Sequence, residues 1–232
     1  MKILAIDTAT EGCSVTLQID TVQISEMQVV PRKHAELILP MIDSVLSQAQ
    51  LSLSALDALA FGRGPGAFTG VRIATGVIQG LAYGADLPVV PVSTLRALAQ
   101  RVFNQHQQRR VMTAFDARMD EVYWGCWQTD QHDIMQAVAV EQVIAPDRVE
   151  RPAEWSDDET VTAAGSGWLS YADVLMAATR VSPDNILADL ISRADEIAQL
   201  AMVEFKLGNA VPAEQALPVY LRNQVAWKKT GV

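Results

Sequence analysis

The amino-acid sequence predicts an α/β protein built from two related halves, each of which opens with a β-hairpin. A short apolar run ends at Asp7, and a similar run ends at Asp116, 109 positions later. An alternating segment follows each run, as expected for the second strand of a hairpin. Each half then contains a strand that meets a glycine junction, at residues 60–64 and 161–167. Three features in the same order favour an internal duplication over coincidence.

The first half changes between strand and helix periodicity along its length. Alternation and apolar runs predict five strands, over residues 2–6, 13–17, 23–29, 56–61 and 87–92. Apolar residues at helical spacing predict two helices, over residues 34–49 and 67–83. The glycines between the fourth strand and the second helix permit the backbone angles of a tight loop.

The second half repeats the opening strands and ends in a long helix. Strands are predicted over residues 111–115, 123–126 and 161–164. Ser192 stands three residues before Asp195, which predicts a capping box at the start of the last helix, and Gly208 predicts its end. We therefore divide the chain into an N-terminal lobe, 1–105, and a C-terminal lobe, 106–232, whose last segment can pack back on the first lobe.

The composition is that of a soluble cytoplasmic protein. Half of the 232 residues are apolar, and no apolar run approaches the roughly 20 residues that cross a bilayer. The N-terminus lacks the apolar core of a signal peptide. Cys13 and Cys126 show no metal-binding or disulfide spacing, so buried reduced thiols are expected. The net charge of −9 argues against a protein that holds nucleic acid by its own field, because phosphate binding takes clustered Lys and Arg.

The turn of the first hairpin, with Asp7, Thr8 and Thr10, is one candidate site. Hydroxyls and backbone N–H groups in such a turn can hold a phosphate, and an aspartate beside them can position a metal ion or water. The alternative is a turn whose Asp and Thr side chains bond their own backbone, and spacing alone favours this alternative.

The loop at residues 62–67 is a second candidate, since it nominally fits the dinucleotide fingerprint G-x-G-x-x-G/A between a strand and a helix. The fit is poor, because the loop belongs to the second structural unit, Pro65 constrains it, and Asp86 is badly placed for a ribose. No Gly-Lys-Ser/Thr follows, so a Walker loop is excluded. A Rossmann dehydrogenase is accordingly a minor alternative.

The helix after this loop is rich in small residues at a spacing of four: Gly66, Gly70 and Ala74, then Gly76, Gly80 and Gly84. A mid-helix glycine costs about 1 kcal/mol relative to alanine, so their number implies that another backbone comes close. That backbone belongs either to the chain's own sheet or to a helix of another subunit, and the sequence leaves both open.

No catalytic or metal-binding set stands out in the sequence. His34, His106 and His132 have no second ligand at i+4 and no nearby cysteine. No Ser or Cys stands in the context of a nucleophile elbow.

Three blocks carry a resemblance to a known family: KILAIDTAT at 2–10, GRGPGAFTGVRI at 62–73 and PVYLRN at 218–223. Together they resemble the TsaB family of bacterial tRNA threonylcarbamoyladenosine biosynthesis proteins, over essentially the whole chain. The resemblance implies two duplicated lobes of the actin and hexokinase (ribonuclease H-like) type, each a mixed sheet that opens with a β-hairpin and is flanked by helices. It also implies a role in attaching a threonylcarbamoyl group to the adenosine beside the anticodon of tRNAs that read codons starting with A.

In that family the catalyst is a homologous partner, TsaD, and an ATPase, TsaE, joins the pair. The resemblance therefore implies a non-catalytic subunit that binds and activates TsaD, meets tRNA through the complex and forms a homodimer when alone. It implies no cofactor, although weak ATP or ADP binding stays open. Contact between tRNA and the basic residues Arg222, Lys228 and Lys229 stays open as well.

The resemblance places the contact with TsaD on the two helices of the first lobe. The predicted contact residues are the apolar and small residues of these helices: His34, Leu37, Ile38, Met41, Ile42, Val45, Gly70, Val71, Ala74 and Val77. The same surface is expected to hold the homodimer.

TsaD-like proteins carry a metal-binding histidine pair after the strand that matches residues 87–92. The equivalent positions here are Thr94 and Leu98, neither of which suits the metal of a transfer site. The turn residues Asp7, Thr8, Thr10 and Asp116 are then expected to be remnants of ancestral phosphate turns. The main alternative is an ATP-dependent phosphotransferase of the sugar-kinase type, with a live ATP site at the two aspartates.

Overall fold

The computed structural model describes residues 1–30, 32–156 and 158–222, and within them the chain forms two mixed β-sheets flanked by helices. The first sheet contains β1 (Lys2–Asp7), β2 (Gly12–Ile19), β3 (Val22–Val29), β4 (Ala58–Gly62) and β5 (Val89–Val92). The second contains β6 (Arg110–Arg118), β7 (Glu121–Thr129), β8 (Met135–Ala137), β9 (Gln142–Ile144), β10 (Thr162–Ala164) and β11 (Ile186–Leu187). The helices are α1 (His34–Ala49), α2 (Phe68–Ala85), α3 (Thr94–His106), α4 (Gly167–Ser170), α5 (Ala172–Thr179) and α6 (Ala194–Lys206).

The two sheets have the same strand plan. The first runs β3-β2-β1-β4-β5, and the second, taken from its other end, runs β8-β7-β6-β10-β11, with β9 paired to β7. In each, an antiparallel hairpin is followed by two parallel strands. Asp7 and Asp116 occupy matching places near the ends of the first hairpin strands. The predicted duplicated, actin-like fold is confirmed.

Each face of the first sheet is covered by helices. The apolar stripe of α1 and one side of α2 pack on one face, where Ile38, Val45 and Ala74 are fully or almost fully buried. The apolar side of α6 packs on the other face, through residues such as Ile197 and Leu200. Most apolar residues of α3 pack against the second sheet instead. The boundary between residues 105 and 106 therefore separates the sheets, while α3 and α6 each pack across it.

The capping box predicted at Ser192 is wrong. The N-cap of α6 is Arg193, and the Ser192 hydroxyl donates to Oδ2 of Asp7 at 2.5 Å. The Ala194 N–H is satisfied from a neighbouring strand, since it donates to Oγ of Ser14 at 2.9 Å. Ser192 thus lies one residue before the N-cap, and its hydroxyl bonds the buried Asp7 carboxylate of the first lobe.

Glu196, in the first turn of α6, is only 6% exposed. Burial, together with the neighbouring Asp195 carboxylate, raises the pKa of its carboxyl to about 7, although Arg101 opposes the shift. The ordinary pKa of the group is 4.5, so the folded chain keeps this proton over a range in which the unfolded chain has lost it. The contribution of Glu196 to the free energy of unfolding is therefore greatest below pH 4.5 and declines until the pH reaches about 7.

Glu196→Gln should remove this decline. We expect the variant and the wild type to have similar free energies of unfolding near pH 4. At pH 8 the variant should be more stable by about 3 kcal/mol, since one pKa unit corresponds to about 1.4 kcal/mol. Urea unfolding at both pH values measures the difference, with Glu214→Gln at an exposed position as the control. A difference between Glu196→Gln and wild type that is equal at pH 4 and pH 8 would contradict the raised pKa.

Candidate functional site

The two lobes enclose a cleft of about 1180 Å³. Its lining includes the turn after β1, the N-terminus of α2, the β6–β7 hairpin, α4 and the last described segment of the chain. Thr10 and Asp116 line this cleft, whereas Asp7 and Thr8 are absent from its lining and fully buried. Only part of the predicted phosphate turns therefore faces the space between the lobes.

Both carboxylate oxygens of Asp7 are occupied by the chain itself. Oδ1 accepts from the Ala9 N–H at 2.9 Å, and Oδ2 accepts from the Ser192 hydroxyl. Burial raises the pKa of the Asp7 carboxyl, while these hydrogen bonds and the nearby His34 act in the opposite direction. The side chain is thus a fully buried structural acceptor that does not face the cleft.

The rest of the first turn is packed under the start of α2. The Thr8 hydroxyl donates to the Gly70 carbonyl at 2.7 Å, and the Ala67 N–H donates to the Ala9 carbonyl at 2.8 Å. At Thr10, Oγ1 accepts from the Gly12 N–H at 3.4 Å. These side chains therefore bond backbone groups of their own chain, which agrees with the alternative to a phosphate site.

Asp116, at the matching turn of the second lobe, is likewise held by neighbouring groups. Its Oδ1 accepts from the Arg118 N–H at 2.7 Å, and its Oδ2 accepts from the Ser170 hydroxyl at 3.2 Å. The Arg118 guanidinium adds an ion pair at 3.2 Å. The backbone N–H of Asp116 donates to Ser166 at 3.2 Å. Both aspartates of the supposed phosphotransferase site are thus bonded within the chain.

The predicted partner contacts on α1 and α2 require a correction. Eight of the ten residues are buried in the chain itself: His34, Ile38, Met41, Ile42, Val45, Gly70, Val71 and Ala74. Leu37 and Val77 are partly buried and pack against the core of the first lobe. The sequence identified the apolar stripe of each helix, and that stripe is what the chain uses to cover its own sheet. Side chains on the outward faces are the ones that a partner could touch.

His34 lies at the start of α1 and lines the cleft, although it is only 8% exposed. Its Nε2 makes no hydrogen bond within residues 1–30, 32–156 and 158–222. His34 thus borders the cleft from within the first lobe and does not contribute to its outer surface.

The outward face of α2 is exposed, and three of its residues have no side chain. Gly76, Gly80 and Gly84 lie one turn apart, and a Cβ built on each meets no atom within 4 Å. Exposed aromatic rings flank them, with Phe68 57% and Tyr83 85% exposed. The predicted contact residues did not include these three glycines, although their spacing of four had suggested the close approach of another backbone.

The two groups of glycines, one at the start of α2 and in the loop before it and the other on its outward face, have different causes. A Cβ on Gly70 would lie 1.9 Å from the Thr8 carbonyl oxygen, and one on Gly66 would lie 2.5 Å from that of Ala9. These glycines allow close packing on the chain's own hairpin turn. The three glycines of the outward face serve no such contact within the described residues. Packing on the chain itself therefore explains the glycines at the start of α2. A contact with another subunit stays open for those on its outward face.

A cluster of cationic and aromatic side chains lies at the cleft mouth and was not predicted from the sequence. The Arg72 guanidinium lies 3.6 Å above the Phe68 ring, and its Nε donates to the Tyr220 hydroxyl at 2.9 Å. Arg222 bonds Glu121 and the Arg118 carbonyl of the second lobe. Arg72, Tyr220 and Arg222 belong to the sequence blocks that carry the family resemblance, but no pattern in the sequence assigns them to one place.

The described residues offer few groups for metal or redox chemistry. Thr94 and Leu98 are fully buried in α3. Nowhere in residues 1–30, 32–156 and 158–222 do three or more His, Cys, Asp or Glu side chains gather as a metal site would require. Cys13 and Cys126 are buried and unpaired, and burial raises the pKa of their thiols to about 11 and about 12. Among the described helices, none has the length and apolar character needed to cross a bilayer.

Comparison with known proteins gives a consistent set of relatives. The family described as "TsaD: tRNA N6-adenosine threonylcarbamoyltransferase" matches residues 14–221. The "tRNA threonylcarbamoyladenosine biosynthesis protein TsaB" of Escherichia coli strain K12 is 44% identical, over 99% of this chain and 98% of that protein. The protein of the same name from Haemophilus influenzae is 39% identical, over 99% and 97%. The solved structure of YeaZ from Pseudomonas aeruginosa has 46% identity and a TM-score of 0.87, over 95% of this chain and 99% of that one.

Proposed function

The chain belongs to the TsaB family of tRNA threonylcarbamoyladenosine biosynthesis proteins, and from this premise we propose that it is a non-catalytic subunit that binds and activates a TsaD transferase. TsaE joins the pair as the ATPase, and tRNA is met through the complex in the cytoplasm. When TsaD is absent, the same surface holds a homodimer. The chain requires no cofactor for this role.

The state of the two hairpin turns supports an accessory role. The carboxylate oxygens of Asp7 and Asp116 accept hydrogen bonds from other groups of the chain. A kinase-type site needs such an aspartate free to position a metal ion or a nucleophile. At most, weak binding of ATP or ADP in the cleft is compatible with this arrangement. The sugar-kinase alternative has no comparable support.

The outward face of α2 carries the proposal. Three bare glycines would let the backbone of a partner helix approach closely, since packed helix axes are separated by the side chains between them. Phe68 and Tyr83, and Leu39 on α1 at 49% exposed, supply apolar contact area on the same pair of helices. Contiguous exposed apolar patches are a common mark of protein interfaces, and these side chains would supply the apolar part of one. A TsaD-type protein fits as the partner because this chain itself matches the TsaD family description, so the two would meet as homologous lobes.

Reconstitution of threonylcarbamoyl transfer tests this function. TsaD and TsaE from the same genome would be combined with tRNA, ATP and threonylcarbamoyl-adenylate, with and without this chain. We expect modified adenosine only when this chain and TsaD are both present, and no turnover by this chain alone. Equal transfer without the chain, or phosphoryl transfer from Mg-ATP by the purified chain, would overturn the proposal.

The basic residues Lys228 and Lys229, for which contact with tRNA was left open, lie outside the described residues. Arg222 lies within them and is engaged with the second lobe.

A further inference from the structure

The last described segment, residues 217–222, which we term the C-terminal strap, crosses the mouth of the cleft from one lobe to the other. On the first lobe, the Val219 N–H donates to the Arg63 carbonyl at 2.9 Å. The Tyr220 ring lies 5.9 Å from that of Phe68, and its hydroxyl accepts from Arg72. The strap is therefore attached to the loop before α2 and to the first turns of α2.

The other end of the strap is attached to the second lobe. The Arg222 guanidinium forms an ion pair with Glu121 and donates to the Arg118 carbonyl at 3.2 Å. Both groups belong to the β6–β7 hairpin, and the Arg222 side chain is only 17% exposed. The ion pair is partly buried, and a charge-assisted hydrogen bond of this kind is stronger than a neutral one. The strap thus ties the hairpin of the second lobe to α2 of the first.

The first-lobe end of the strap coincides with the proposed partner surface. Phe68 begins the outward face of α2, and Arg72 stacks on its ring. A partner that covers Phe68 would also restrict Arg72 and, through it, Tyr220. Restricting one part of a network of contacts lowers the frequency with which the other parts open.

We infer that the C-terminal strap couples occupation of the outward face of α2 to closure of the cleft between the lobes. The bound partner holds the stack of Phe68, Arg72 and Tyr220, and the strap then keeps Arg222 on Glu121. This inference rests on the proposed function, because the occupant of the α2 face is the TsaD partner. Its consequence is that partner binding changes the second lobe at a distance from the contact.

Hydrogen exchange of the full-length chain tests the strap without a partner. In free wild type, the amides of the β6–β7 hairpin should exchange slowly. Arg222→Ala should speed their exchange about tenfold, the scale of losing one charge-assisted contact. Arg148→Ala is the matched control, since Arg148 is an exposed residue of the second lobe that lies outside this hairpin. Unchanged exchange of the hairpin in Arg222→Ala would overturn the attachment of the lobes by the strap.

The coupling is tested by repeating the exchange with purified TsaD. Binding should slow hairpin exchange in wild type, while Arg222→Ala should bind TsaD within about threefold of wild-type affinity and lose that protection. Equal protection in both proteins would overturn the coupling, because it would mean a direct contact of TsaD with the hairpin. Failure of wild type to bind TsaD would refute the proposed function and the coupling, and the free-chain measurement would still decide whether the strap joins the lobes.

Discussion

Gly70→Ala is expected to destabilise the folded chain by about 3 kcal/mol or more, because overpacking against backbone cannot be relieved by a rotamer change. The added Cβ would lie 1.9 Å from the Thr8 carbonyl oxygen and 3.0 Å from its carbon. The Thr8 hydroxyl also donates to the Gly70 carbonyl, and this hydrogen bond holds the helix close to the turn. Relief requires α2 to move away from the β1–β2 turn, which would expose part of the first-lobe core.

Gly76→Ala is the matched control for this substitution. It lies in the same helix, and its Cβ would meet nothing within 4 Å. Alanine should therefore stabilise the chain by up to about 1 kcal/mol, the difference in helix propensity. Urea unfolding of both variants measures the contrast. A loss below about 1 kcal/mol in Gly70→Ala would show that the helix is not fixed against the turn as described.

Gly80→Arg is expected to weaken binding of TsaD by at least about 100-fold, or about 3 kcal/mol, while leaving the fold intact. The position is open in the chain itself, so the long side chain causes no internal clash. At an interface of closely packed helices, the same side chain would hold the partner away from the α2 face. Free energy of unfolding should stay the same or increase, because arginine is a better helix former than glycine.

Isothermal calorimetry with TsaD measures this effect, and urea unfolding verifies the fold. Ala177→Arg, at an exposed position of α5 in the second lobe, is the matched control and should bind as wild type does. Wild-type affinity in Gly80→Arg would place the partner surface elsewhere. The self-association of the free chain should respond in the same way as TsaD binding, since both are proposed to use one surface.

The contact residues show how far a periodic pattern can be interpreted. The stripe of Ile38, Met41 and Val45 was identified correctly as apolar and helical, and the structure buries it. Periodicity reports which side of a helix avoids water, and it does not report whether the chain or a partner covers that side. The partner surface that we propose contains Gly76 and Gly80, whose lack of a side chain gives no hydrophobic signal.

The hairpin turns show a second limit. Asp7 and Thr8 have the residue types of a phosphate turn, although their spacing alone favoured hydrogen bonds to their own backbone. One carboxylate oxygen does bond a residue two positions away, Ala9, but the other bonds Ser192, which is 185 positions away. The sequence assigned Ser192 to a helix cap because the spacing to Asp195 fitted a local rule.

The sequence by itself determined the fold class, the duplicated order of strands and most element positions, because alternation, helical period and glycine junctions are local properties of the chain. The tertiary structure alone decided which glycines of α2 pack on the chain and which are bare, and which partners occupy Asp7 and Asp116. It also brought Arg222 to Glu121, 101 positions away, across the mouth of the cleft. Such contacts depend on how whole elements are placed in space, and the spacing of residues along the chain does not determine that placement.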